Sequence, residues 1–132
     1  MNINLLLALH VIFGAVWFGL AVSFRVQAAP HKPFLAVQTL AAISAIGLGV
    51  IIAALERPDM ASASGRVLMA GAGLAVLAAL LMGALVVWPT VVASLRAAPL
   101  SPGAKRRMIV AGRIVAVLLL VVLTLMALAH RI

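Results

Sequence analysis

Residues 108–129 read MIVAGRIVAVLLLVVLTLMALA, and this stretch decides the fold class. It contains one charged side chain, Arg113, and one hydroxyl group, that of Thr124. A helix crosses the roughly 30 Å of bilayer hydrocarbon with about 20 apolar residues, because each residue adds about 1.5 Å. Polar and apolar residues do not alternate as they do in a membrane β-strand. The stretch therefore predicts a transmembrane helix.

Three further stretches are long and apolar enough to cross a bilayer. The four predicted helices cover about 3–24, 34–55, 67–95 and 108–129. The third is longer than a crossing needs, and we expect Pro89 to kink it or to mark the membrane exit near Trp88. The sequence thus predicts an all-α protein: one transmembrane domain over residues 1–132, an integral membrane four-helix bundle with up-down-up-down topology.

Composition supports the membrane class. Hydrophobic residues make up 67% of the chain and charged residues 9%, with a mean hydropathy of +1.32; soluble domains are about 45–50% apolar and about 25% charged. The net charge is +8, and there is no cysteine to form a disulfide or a thiolate metal site. Because the basic residues lie mostly between the apolar stretches, we expect them to meet the anionic headgroups of a lipid bilayer, and we expect no nucleic acid partner.

The distribution of basic residues predicts the orientation. Six lie in the first and third loops (Arg25, Lys32, Arg96, Lys105, Arg106, Arg107), and three lie in the second loop and at the C-terminus (Arg57, Arg66, Arg131). Cytoplasmic loops are enriched in Lys and Arg. We therefore expect a multi-pass protein of a bacterial-type inner (plasma) membrane with both termini outside.

Small residues occur along every predicted helix. They are Gly14, Gly19, Gly47, Gly49, Gly71, Gly73, Gly83, Gly112 and Ala116. Small residues let helices approach closely in lipid, where association depends on van der Waals packing. This pattern predicts a compact bundle and favours a homo-oligomer or a larger membrane complex.

His10 and Trp17 are the first candidate site residues. They lie seven residues apart, about 10.5 Å along one face of a helix. Placing an imidazole at membrane depth costs free energy, so its presence there suggests a function. Such a function could be binding a metal or haem iron, or relaying protons. The alternative is a structural histidine that donates a hydrogen bond to a neighbouring helix, with Trp17 as a large packing side chain.

His130 and Met126 form a second candidate group near the end of the fourth helix. With His10, they offer the imidazole and thioether ligands that suit Cu(I), and two histidines can also be the axial ligands of haem b. The alternatives are a frayed helix end and a methionine that fills a gap.

Arg113 is a candidate to bind a haem propionate, a quinone or a lipid phosphate, or else it extends to the headgroups. For Gln38, Thr39 and Ser44 we expect interhelical hydrogen bonds or bonds to the backbone.

Residues 9–19 read LHVIFGAVWFG and resemble the first helix of the CopD-like (copper-resistance D domain) and HemJ-type group of small four-helix membrane proteins. In that group an early His is followed seven positions later by Trp and then by a glycine-containing turn of helix, which His10, Trp17, Phe18 and Gly19 match. The CopD-like members imply copper passage or delivery, and the HemJ-type members imply haem and porphyrinogen oxidation. The HemJ-type pattern also has a His and a Lys around the third helix, and residues 65–74 contain neither.

Three functions follow as expectations. The first is a metal centre, haem b or copper, bound near the outer side of the bundle through His10, for redox chemistry or copper handling. The second is a non-catalytic scaffold or accessory subunit of a larger membrane complex. The third is a transporter of a small molecule or lipid, for which only Pro89 hints at the broken helix that such proteins show. No nucleotide-binding loop or nucleophile elbow is present in the sequence, and no acidic residue lies within a predicted span.

Overall fold

A computed structural model describes residues 2–23 and 32–132. Over these residues the chain is helical: α1 is Ile3–Ser23, α2 is Lys32–Glu56, α3 is Ala63–Met82, a π-helical turn is Gly83–Val87, α4 is Trp88–Leu95 and α5 is Pro102–Ala129. Four of the resulting segments are long and apolar enough to cross a membrane: Ile3–Ser23, Pro33–Glu56, Ala63–Leu95 and Pro102–Ala129. The prediction of an all-α, four-helix, multi-pass membrane protein is confirmed.

The four spans pair as two hairpins. α1 packs along α2 and α3 packs along α5, while contact between α1 and α5 joins the two hairpins. α3 and α5 run antiparallel, because the Ser64 hydroxyl at the start of α3 donates to the Ala129 carbonyl at the end of α5 (2.9 Å). Farther along the pair, Gly71 faces Leu125 and Met126.

Serine caps extend α3 and α5 beyond the apolar stretches that predicted them. The Ser62 side chain accepts a hydrogen bond from the Gly65 amide, and the Ser101 side chain accepts one from the Ala104 amide. Each bond satisfies an amide that the first helical turn would otherwise leave unpaired. α3 therefore begins at Ala63 and α5 at Pro102, several residues before the predicted starts at 67 and 108.

The irregularity expected at Pro89 takes the form of a π turn just before it. The Trp88 amide donates to the Gly83 carbonyl, five residues back. Pro89 has no N–H to continue the helical ladder, and the Thr90 hydroxyl donates to the Val86 carbonyl (2.7 Å). The helix then continues as α4, so the whole segment of 33 residues is roughly 50 Å long, more than the hydrocarbon thickness.

Alanines are among the most buried residues where the helices pack. Ala21 and Ala78 are fully buried, and Ala111 is 1% exposed; they pack with Trp17 and Met108 where the hairpins meet. Five glycines that were expected to serve helix packing have open space where a side chain would be: Gly14, Gly19, Gly47, Gly73 and Gly83. Large apolar side chains such as Leu40 and Val117 point outward, as a lipid-facing surface requires.

Candidate functional site between the first two helices

The His10 ring is held against α2 by one hydrogen bond. Its Nδ1 lies 2.7 Å from the carbonyl oxygen of Ala45, and the side chain is half-buried. A carbonyl only accepts, so Nδ1 carries the proton and donates it. In the neutral ring, Nε2 then has the lone pair that binds metals. Metal-binding histidines are usually fixed in this way by a carbonyl or carboxylate.

Gly49 provides the space for the ring. It lies one helical turn after Ala45, and a Cβ at Gly49 would be 3.1 Å from His10 Cε1 and 3.9 Å from Nε2. α2 therefore supplies both the hydrogen-bond acceptor and the gap into which the imidazole packs. The structural alternative includes the same hydrogen bond. The metal-ligand and the structural interpretations of His10 therefore differ in whether Nε2 binds a metal.

Trp17 and Gln38 add two buried polar atoms to this interface. The side chains are 2% and 3% exposed, and neither Trp17 Nε1 nor Gln38 Oε1 has a hydrogen-bond partner within residues 2–23 and 32–132. Leaving such a group unpaired costs about 1–3 kcal/mol. One atom is a donor and the other an acceptor. Consecutive spans cross the membrane in opposite directions, so with His10 beside Ala45, Trp17 is about level with Gln38.

We refer to His10, Trp17 and Gln38 as the α1–α2 polar seam. Its members carry an imidazole nitrogen, an indole N–H and an amide oxygen on two helices that pack along each other. Thr39, next to Gln38, makes the predicted backbone bond, to the Leu35 carbonyl (2.8 Å), whereas Gln38 Oε1 does not. Gln38 lies seven residues before Ala45 as Trp17 lies seven after His10, a match that becomes visible only once the structure places Ala45 beside His10.

The other predicted metal ligands face different neighbours. His130 is exposed, and its Nδ1 donates to the Met126 carbonyl of its own helix (2.9 Å). The Met126 side chain approaches Gly71 on α3, whereas His10 lies against α2. In the described part of the chain, no group of three or more His, Cys, Asp or Glu side chains could hold a metal ion. Arg113 is exposed on α5.

No family profile, curated protein or solved structure matches this chain. The resemblance of residues 9–19 to the CopD-like and HemJ-type group therefore depends on His10, Trp17 and the glycines of α1.

A substitution at Gly49 tests the packing of His10 against α2 without removing the imidazole. In Gly49→Val, the new side chain occupies the space of the His10 ring, so we expect loss of the Ala45 hydrogen bond and destabilisation by roughly 1–3 kcal/mol. Unfolding in mixed detergent micelles measures the change. Gly47→Val is the matched control, because a Cβ there has open space. Equal stability of the two variants would contradict the described packing of His10.

Proposed function

We propose that this chain is a multi-pass protein of a bacterial inner membrane that binds a metal centre, haem b or copper, through His10 Nε2, for redox chemistry or copper handling. The observation that carries the proposal is the bond from Nδ1 to the Ala45 carbonyl, which orients the ring and assigns the ligand lone pair to Nε2. An imidazole is a ligand for both iron and copper.

The donor set fits haem better than a three-ligand copper site. Haem iron in several protein classes is held by a single histidine from the chain, and His10 is one oriented imidazole. In a copper site built from His10, His130 and Met126, these three side chains would have to meet at one ion. His10 now contacts α2, whereas Met126 contacts α3. When bound, haem iron supplies one-electron redox chemistry. In this arrangement Trp17 Nε1 would donate its free hydrogen bond to an acceptor on the bound group, and Arg113 remains a predicted partner for a propionate.

The visible spectrum and metal content of the purified full-length chain test this proposal. The protein is expressed in bacteria supplied with a haem precursor and with copper, and purified in mild detergent. We expect a Soret band, or a colourless protein with near-stoichiometric copper. A preparation without either, which also fails to bind added haemin or Cu(I), would overturn the proposal.

The second candidate is a scaffold or accessory subunit, alone as a homo-oligomer or within a larger membrane complex. The five glycines with open space above them favour it, because such positions let another helix approach closely in lipid. In this case His10 serves only to bond α1 to α2. A metal-free protein that cross-links to itself or co-purifies with other membrane subunits in stoichiometric amounts would support this candidate over the first.

For the orientation, we propose that both termini lie outside. The basic residues of the third loop and of the start of α5 then meet the anionic headgroups of the cytoplasmic leaflet. His10, near the start of α1, lies toward the outer side of the bundle in this orientation.

A further inference from the structure

A groove lies where the π turn packs beside the start of α5. Its volume is about 300 Å³, and it is open on one side. The lining includes Leu85 from the π turn and Arg106, Arg107, Val110 and Ile114 from α5. This groove is separate from the α1–α2 polar seam and shares no residue with it.

The lining has an amphipathic order along α5. Arg106 and Arg107 come first, and the apolar side chains of Val110 and Ile114 follow one and two turns after Arg106. The Arg107 side chain lies along the helix, since its Nε donates to the Gly103 carbonyl (3.4 Å). The groove therefore has a cationic end at the helix start and an apolar floor toward the middle of the span.

No acidic side chain of the chain can neutralise this cationic end. The chain has only two acidic residues: Glu56 ends α2, and Asp59 lies between α2 and α3. The bond from Ser64 to Ala129 places the start of α3 beside the end of α5. Arg107 lies roughly 33 Å from that end along the helix axis. No acidic side chain of this chain therefore pairs with Arg106 or Arg107, and both are exposed to a partner from outside.

We propose that this groove binds one anionic phospholipid. The lipid phosphate contacts Arg106 and Arg107, and an acyl chain lies over Leu85, Val110 and Ile114. The two arginines lie at the start of α5, before a span in which Arg113 is the one further charged side chain, at the depth where headgroups meet hydrocarbon. The π turn, with its wider helical turn, forms the second wall; such turns are frequent at functional sites. An inorganic phosphate would use only the cationic end of the groove.

Native mass spectrometry of the full-length chain in mild detergent tests the proposal. The chain is titrated with dioleoylphosphatidylglycerol and, in parallel, with dioleoylphosphatidylcholine, which has the same acyl chains and no net charge. We expect one tightly bound phosphatidylglycerol. In the double variant Arg106→Gln/Arg107→Gln we expect its binding to weaken about tenfold or more, because each basic residue near a lipid surface contributes about 1 kcal/mol.

Two further variants distinguish lipid binding in the groove from non-specific electrostatic attraction. Arg96→Gln/Lys105→Gln removes the same charge near the same end, and we expect less than about a twofold change because these residues do not line the groove and do not contact the proposed lipid. Val110→Phe keeps all charges and fills the apolar floor, so we expect several-fold weaker binding. Equal loss in the two charge variants, unchanged binding in Val110→Phe, or full competition by inorganic phosphate would each overturn the proposal. Unfolding in neutral detergent verifies that every variant is folded.

Discussion

Replacing His10 by asparagine is expected to abolish binding of the proposed metal centre while the bundle keeps its stability. The asparagine Nδ2 takes a position close to that of the imidazole Nδ1 and can donate to the Ala45 carbonyl, which now accepts from His10 at 2.7 Å. The variant lacks any counterpart of Nε2, the proposed ligand. The measurement is the haem or copper content per chain, together with the free energy of unfolding in mixed micelles.

His10→Ala and His130→Ala complete this experiment. His10→Ala also loses the hydrogen bond to α2, so we expect a further destabilisation of about 1 kcal/mol relative to the asparagine variant. His130 bonds to its own helix, and the haem interpretation predicts full cofactor content in His130→Ala. Copper that is lost in both alanine variants would instead support the two-histidine site predicted from the sequence. Retention of the metal centre in His10→Asn would contradict His10 as its ligand.

The sequence predicted the four spans because bilayer thickness dictates the length of an apolar helix. It did not predict their starts equally well. α3 and α5 begin several residues before their apolar stretches, since the capping serines Ser62 and Ser101 start the helix in polar sequence. Hydropathy detects the part of a helix that lies in lipid, whereas capping determines where the helix itself begins.

The candidate site could be predicted only in part. His10 and Trp17 were found from their types and their spacing on one helix. Their partners depend on the register between α1 and α2, which spacing within one helix does not determine. The acceptor for His10 is a backbone carbonyl, and every residue has one, so the sequence had no signal for Ala45. Gly49 did stand out as a glycine, but so did Gly47, which has open space beside it.

Trp17→Ala is expected to give the largest loss of stability. The side chain is 2% exposed and packs where α1 meets α2 and α5, against Ala21, Met108 and other core residues. Truncating a buried tryptophan leaves a cavity and costs about 3–5 kcal/mol. The free energy of unfolding in mixed micelles measures this change. Trp88→Ala is the matched control, because the Trp88 side chain is 66% exposed and points away from the core of the bundle. We expect its free energy of unfolding to change by no more than about 0.5 kcal/mol.

Trp17→Phe separates packing from the role of the indole N–H. Phenylalanine retains an aromatic ring in the core but has no donor, so the variant eliminates the unpaired Nε1. If Trp17 only packs, this substitution costs far less than alanine and leaves the metal centre unchanged. If Nε1 donates to the bound group, stability is again largely retained, but the affinity for that group falls roughly tenfold, the loss expected for one buried hydrogen bond. A loss of stability in Trp17→Ala no larger than that in Trp88→Ala would show that α1 does not pack through this side chain.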